Sequence, residues 1–544
     1  MSPHSSPLVV SLEAVGLEAI GDVGGKNASL GEMIRALASE GVRVPGGFAT
    51  TAEAYRLFIR SGELQPQLHR LLDGLDGRDI ASLQAAGAGA RALLLSSPLP
   101  AELQHEILAA YRAIGSPAVA VRSSATAEDL PDASFAGQQE TYLNVCGEAA
   151  LLAACRRCYA SLFTDRAISY RQINGFDHFE VALSIGVQRM VRSDLACSGV
   201  MFSIDTETGF RNAVLLTAAY GLGENVVQGA VNPDELLIFK PTLEQGFAPI
   251  VSKRLGSKAI RMVYGEQASG DSSAGHSATH NEPVPEADRR RFALSDDEAL
   301  QLARWACRIE AHYSARRGVP TPMDIEWAKD GESGELFILQ ARPETVESRR
   351  NASILRSWRL EPHNAEVLCS GRAIGASVSS GRARIIRDPS EIQRFQPGDL
   401  LVTERTDPDW EPILKRASGV ITNQGGRTCH AAIIAREMGI TAIVGAGDAT
   451  ERIADGELIT ASCCEGDEGH VYRGALPFHV DERDVGELPA TRTQILMNVG
   501  NPEEAFSLAA IPCDGVGLAR LEFIIANHIR VHPMALLRPS SRKA

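Results

Sequence analysis

The chain has 544 residues, 44% hydrophobic and only 5% aromatic, enough for three or four domains and ill-suited to an aromatic-packed all-β sandwich. Its 68 acidic against 54 basic residues leave a formal charge of −14, which disfavours nucleic acid as the main partner. No apolar run is long enough to span a bilayer and the N-terminus lacks a secretory pattern, so a soluble cytoplasmic protein with no membrane partner is expected.

In chain order, the first feature is Gly24-Gly25-Lys26-Asn27. It precedes Leu30, Met33, Ile34 and Leu37, whose i, i+3, i+4, i+7 spacing predicts an amphipathic helix. Glycines before a helix start let an anion approach free amides, and Lys26 would neutralise it. A lysine pointing into water explains Lys26 equally well. The required glycine spacing of a Walker motif and any strand-borne G-x-G-x-x-G are absent.

Val119 to Arg122 predicts a short strand ending in an arginine, followed by Ser123, Ser124 and Thr126 and a polar loop through Phe135 to Gly137. Arginine beside hydroxyls and loop amides makes a phosphate clamp, or a structural salt bridge. Cys155 and Cys158 form a lone C-x-x-C in a helix-like context, read as two buried helix positions rather than a zinc site. Ser269 to Pro285 reads as a solvated loop, with His276 and His280 as loop residues.

Asp324 to Trp327 and Phe337 to Arg342 predict a hairpin turning over Lys329 to Gly334. Strand alternation puts Asp324 with Glu326 on one face and Gln340 with Arg342 on one face of the other strand. If the faces coincide, carboxylate and amide oxygens hold Mg²⁺ while the arginine reaches the same phosphates; a charged solvent face is the bland alternative. Boundaries are expected near residues 347–361 and 480–489.

Gly419 to Asn423 predicts a strand, Gly425-Gly426 a flexible link, and His430 the first turn of a helix ending at Gly439. Imidazolium is disfavoured at a helix N-terminus, which leaves a neutral nucleophile, and Thr428 and Arg427 stand beside it. In the tail, Ile495 to Val499 predicts a strand, Pro502 to Ile511 a helix and Val516 to Phe523 a second strand.

GGRTCHAAIIAREMGI resembles the phosphohistidine motif of the PEP-utilising enzymes. Together with VGGKNASLGEMI, AVRSSATAEDLPDASFAGQQETYLNV, GVMFSIDTETG, GLGENVVQGAVNPDE, PMDIEWAKDG, FILQARPET and TDPDWEPILKRAS, it is similar to the phosphoenolpyruvate synthase (pyruvate, water dikinase) branch of that family, in the family's order to about Leu537.

The resemblance implies a multidomain α/β and α+β protein. Residues 1–350 would form an ATP-grasp nucleotide domain, and residues 365–476 a swivelling phosphohistidine α/β domain. Residues 492–544 would be the incomplete start of a (β/α)8 barrel. In the family pattern Lys26, Arg122 and Arg342 match ATP-phosphate contacts, and Glu326 and Gln340 match the Mg²⁺ pair. His430 matches the phosphoryl acceptor, supported by Thr428 and Arg427, and Arg520 matches an arginine that holds pyruvate or PEP.

The implied gluconeogenic reaction converts ATP, pyruvate and water to PEP, AMP and phosphate. The histidine takes a pyrophosphoryl group, water removes its outer phosphate, and the rest passes to enolised pyruvate. Pyruvate phosphate dikinase, or a non-enzymatic phosphocarrier fragment, are the other readings, and homo-oligomerisation is compatible with all. About 50 residues from Ile495 cannot close a barrel of about 250. This chain is therefore expected to perform the ATP/histidine half-reaction, with an apolar, exposed tail.

Overall fold

The computed structural model describes residues 7–73, 75, 80–126, 141–173, 176–265, 279–344, 354–361, 364–484, 491–502, 505–509 and 511–534. The predicted polar loop through Phe135 to Gly137, and His276, lie outside them. The chain divides into two compact units: Met1–Ser203, Leu216–Val227 and Val231–Pro343 in the first, and Ile204–Leu215, Gln228–Ala230 and Glu344–Ala544 in the second. Among the described residues no helix is long and apolar enough to cross a membrane.

Two sheets dominate the first unit. One contains β1 (Val9–Ser11), β2 (Gly47–Thr50), β3 (Val119–Ala125), β4 (Thr141–Val145) and β5 (Leu183–Arg189), in the order β1-β2-β5-β3-β4. The other draws on β6 (Cys197–Phe202), β7 (Ala213–Tyr220), β8 (Asp234–Phe239), β9 (Ile250–Arg254), β12 (Met323–Lys329) and β13 (Leu336–Pro343), ordered β13-β12-β6-β7-β8-β9. A separate ribbon pairs β10 (Ile260–Tyr264) with β11 (Thr279–Pro283). His280 therefore lies on a strand opposite Val263 and not in the expected loop: the low-complexity composition ends before a register that Arg261 and Glu282 hold together by an ion pair.

The helix α1 (Ile20–Leu37) touches both sheets. It buries Leu30, Met33 and Leu37, the expected apolar face, and breaks at Gly24, whose φ of +74° is left-handed. A second long helix, Asp296–Arg317, starts with the capping box Ser295/Glu298 and ends at Gly318. Cys155 and Cys158 are buried in the helix Glu148–Ser161, as the spacing predicted.

In the second unit, β15 (Val367–Ile374), β16 (Val378–Ile385), β17 (Leu400–Thr403), β18 (Gly419–Thr422), β19 (Thr441–Val444), β20 (Leu458–Ser462) and β21 (Glu468–Arg473) form a closed barrel. Its order is β15-β19-β18-β17-β16-β20-β21. Alternation along the strands sorts neighbours into two cores. Leu400, Val402, Ile421 and Ile443 pack in one, while Leu401, Val420, Ala442 and Val444 pack with Ile413, Ala431, Ala432 and Ala435 of the covering helices in the other.

Within the boundary region expected at 480–489, residues 485–489 lie outside the described ones, and Val480 to Asp484 belong to a strand, β22 (Phe478–Asp484), paired with β14 (Ile354–Leu360). Cross-strand charges explain it: Arg356 meets Glu482 at 2.7 Å and Arg359 meets Asp481 at 3.7 Å. Further on, β23 (Leu496–Val499) and β24 (Gly515–Ala519) pair in parallel, but Leu521–Phe523 is a helical turn and not strand. The ladder stops where β23 ends, at Val499 opposite Ala519. The connection between these strands holds the helix Ala505–Leu508, within the expected Pro502 to Ile511; residues 503, 504 and 510 of that span lie outside the described ones. Ile495, Leu496, Val516, Leu518 and Leu521 are exposed.

Candidate functional site

The first unit assembles most of the predicted phosphate-contacting residues on strands. β12 and β13 pair with Asp324 opposite Arg342 and Glu326 opposite Gln340, so the two predicted faces coincide. Ile325, Trp327, Ile338 and Ala341 point the other way into the core. Arg342 binds one Asp324 oxygen through both Nε (2.9 Å) and Nη2 (2.8 Å). That pairing commits Asp324 to orienting the guanidinium and leaves Glu326 and Gln340 as the adjacent oxygen donors.

Arg122 comes from the other sheet. Its Nη1 lies 3.6 Å from a Glu326 carboxylate oxygen and 3.4 Å from the Leu339 carbonyl oxygen, to which it donates. The arginine does not end its strand as expected: β3 continues through Ser123, Ser124 and Ala125, paired with Ile185, Ser184 and Leu183 of β5. The two serines are buried strand residues, not loop hydroxyls.

Ser124 explains Gly24. A Cβ on Gly24 would stand 2.3 Å from Ser124 Oγ and 2.4 Å from its carbonyl oxygen. The Asn27 amide donates to the same Oγ at 3.4 Å, while its side chain donates to Ser184 Oγ and the Val23 carbonyl. Lys26 is thus flanked by residues pinned to β3. Farther along α1, Ser29 donates to the Ala341 carbonyl at 2.6 Å, between Gln340 and Arg342, and meets the Tyr313 hydroxyl. Lys26, Arg122, Glu326, Gln340 and Arg342 therefore share one braced framework.

The second unit places His430 as expected, at the first position of the helix His430–Met438, with Cys429 as N-cap and Gly439 left-handed after the last turn. Its Nδ1 lies 3.1 Å from Thr406 Oγ1. If Nδ1 carries the proton and donates to Thr406, the lone pair of the neutral ring is on Nε2, the nucleophilic nitrogen. Thr428 Oγ1 is buried with no hydrogen-bond partner among the described residues. A buried hydroxyl without a partner costs stability, so it marks a place where an acceptor belongs.

Arg427 has a more specific environment than its position beside His430 suggested. Its guanidinium bonds Asp467 at 3.1 Å and approaches the Glu207 carboxylate at 3.9 Å. Arg436, on the helix that His430 opens, also pairs with Glu207 and donates to the Arg427 carbonyl at 2.6 Å. Burial pushes the Glu207 carboxyl up, but Arg436, Arg427 and the Gly375 amide outweigh it and hold the carboxyl below its ordinary value. Asp467 shifts upward, because burial outweighs the attraction of Arg427.

Thr406 and Glu207 received no role from sequence. Both stand inside quoted motifs, TDPDWEP and GVMFSIDTETG, yet Glu207 reaches Arg436 across a separation of 229 residues. No local pattern signals such a pair. Arg520, the predicted pyruvate residue, precedes the short turn after β24; its amide donates to the Val499 carbonyl and its guanidinium lies over the Phe523 ring, 5.7 Å from the centroid. Among the described residues no other predicted site residue bonds to it.

Two family models match the chain. "Pyruvate phosphate dikinase, AMP/ATP-binding domain" covers residues 20–359, and "PEP-utilising enzyme, mobile domain" covers residues 395–466. Among curated relatives, the phosphoenolpyruvate synthase of Synechocystis is 61% identical over 98% of this chain and 65% of that protein. The phosphoenolpyruvate synthase of Aquifex aeolicus is 51% identical over 98% of this chain and 62% of its own length. That of Escherichia coli is 53% identical over 98% and 66%. The chain thus spans slightly less than two-thirds of the length of these relatives.

Proposed function

Because the chain belongs to the pyruvate phosphate dikinase AMP/ATP-binding domain family, we propose that it transfers phosphate from ATP to His430, the first half of a phosphoenolpyruvate synthase reaction. The observation that carries this reading is the setting of His430: Nδ1 held by Thr406, and, two residues away, a buried Thr428 hydroxyl without a hydrogen-bond partner among the described residues. A phosphoryl group on Nε2 would supply that hydroxyl with an acceptor, at the positive end of the helix.

In this reading the first unit is an ATP-grasp nucleotide domain and the closed barrel is the swivelling carrier of His430. The β23–β24 pair is the start of a PEP/pyruvate-binding (β/α)8 barrel in which Arg520 receives pyruvate or PEP. Lys26, Arg122 and Arg342 bind ATP phosphate oxygens. The Nε2 lone pair of His430 attacks the β-phosphorus, the bond to the α-phosphate oxygen breaks, and AMP leaves. Water then takes the outer phosphate, and the remaining phosphoryl group passes to the enol oxygen of pyruvate.

Glu326 and Gln340 fit Mg²⁺: they are neighbouring oxygen donors opposite each other across two strands, and Mg²⁺ commonly takes few protein oxygens with phosphates and water completing its shell. Bound there, the ion would offset negative charge on the ATP phosphates.

The test is labelling with ATP carrying ³²P at the β-position. The wild-type chain should acquire acid-labile, base-stable label and release AMP, whereas His430→Asn should acquire none. Equal labelling of His430→Asn and wild type would overturn the assignment.

A further inference from the structure

The largely buried Glu207 carboxylate has no task in phosphoryl transfer as described so far. Glu207 belongs to the segment Ile204–Leu215, which counts with the second unit. Its side chain is 10% exposed, and those of its partners Arg427 and Arg436 are 10% and 7% exposed. The carboxylate accepts from the Gly375 amide at 2.8 Å and pairs with both guanidiniums. Two further contacts give the cluster direction. Arg436 donates from Nη1 to the Arg427 carbonyl at 2.6 Å, and the Cys429 amide closes a turn onto the Gly426 carbonyl at 3.1 Å.

An unbroken series of contacts therefore runs from Glu207 through the Arg436 guanidinium to the Arg427 carbonyl. From there it follows the backbone through Thr428 and the N-cap Cys429 to His430. Buried ion pairs are an inefficient source of stability, since desolvation cancels much of their attraction. What they supply is orientation, because a guanidinium bonded on two sides cannot rotate.

We propose that Glu207 is a positioning residue for phosphoryl transfer: by fixing Arg436 against the Arg427 carbonyl, it sets the turn that aims the His430 imidazole. This rests on the reading of His430 as the phosphoryl acceptor. Glu207 touches neither the ring nor the phosphate in this role. It acts through the turn at residues 427–429.

The experiment uses the full chain as wild type, Glu207→Gln and Glu207→Asp. Glu207→Gln keeps an acceptor oxygen but loses the charge that holds two guanidiniums. Its maximal rate of His430 labelling by ATP should fall about 100-fold, the scale expected when a reacting group is misplaced by about an ångström. The ATP concentration for half-maximal rate should stay within about twofold, because that constant reads uniform substrate binding. Glu207→Asp should recover part of the rate. If Glu207→Gln fails to fold, Arg436→Lys carries the same expectation, since a lysine cannot fork between Glu207 and the Arg427 carbonyl.

The ring ¹⁵N resonances of His430 give a readout that needs no nucleotide. They should be sharp and single in wild type and exchange-broadened or shifted in Glu207→Gln. Folded Glu207→Gln with wild-type labelling rate or with unaltered ring resonances would overturn the proposal, as would a loss confined to ATP affinity. Wild-type protein that takes no label from ATP, yet shows the expected change in ring resonances, would overturn the acceptor reading and leave the positioning role standing.

Discussion

Glu207 keeps its charge where water is scarce, and that has a pH signature. Its folded carboxyl lies below the ordinary value because Arg436 and Arg427 outweigh burial. Between the folded and unfolded values the unfolded chain binds more protons, so stability rises with pH there. The contribution is complete above the unfolded carboxylate value of about 4.3 and is lost as pH falls through the folded one. Asp467 runs the other way, since its raised carboxyl gains relative stability on protonation. Comparing wild type with Glu207→Gln isolates the first effect. The variant should lose about 3 kcal/mol at neutral pH, the cost of breaking a buried pair. The gap between the two melting curves should narrow as pH falls below about 4. A gap constant from pH 7 to pH 3 would contradict the assignment. Sequence could not have delivered this residue: Glu207, Asp467 and Gly375 come from three separate stretches, and only tertiary structure brings them to Arg427.

At the scale of elements, α1 illustrates what local pattern does and does not reveal. Its apolar spacing and double glycine are visible in sequence, and so is the alternation that set Glu326 opposite Gln340. The reason for Gly24 is not, because Ser124 is 100 residues away. Gly24→Ala combines a left-handed φ with a clash against backbone, and should cost at least about 2 kcal/mol. It should also abolish ATP labelling, since it displaces the turn that carries Lys26. Ser295→Ala supplies the contrast: losing that cap should cost about 1 kcal/mol with labelling intact. Calorimetry with the labelling assay reads both, and equal effects of the two substitutions would refute the special role given to Gly24. Elsewhere local pattern misled. The charged run in β22 reads as a linker until its cross-strand arginines are known, and Leu521-Glu522-Phe523 reads as strand until the partner strand is seen to end.

At the scale of the whole molecule, the nucleotide residues and the histidine belong to different compact units of one covalent chain. A tether of this kind gives an effective concentration of order millimolar, far above working protein concentrations. Labelling of His430 should therefore be first-order, with a rate constant unchanged over a hundredfold range of protein concentration. A rate constant rising in proportion to concentration would mean that one chain phosphorylates another.

The barrel of the second unit has a further consequence. Val420 and Ile421 are adjacent, yet they serve opposite cores, and the same holds for Leu401 with Val402 and Ile443 with Val444. A slip of one residue in any of these strands would exchange inside for outside along its whole length. Closure leaves no edge strand at which such a slip can be absorbed. Insertions and deletions are thereby steered into connections such as 386–399, while the short link from β18 to His430 is kept at constant length. Changing the length of a strand therefore disturbs both cores at once, whereas changing one side chain disturbs only one.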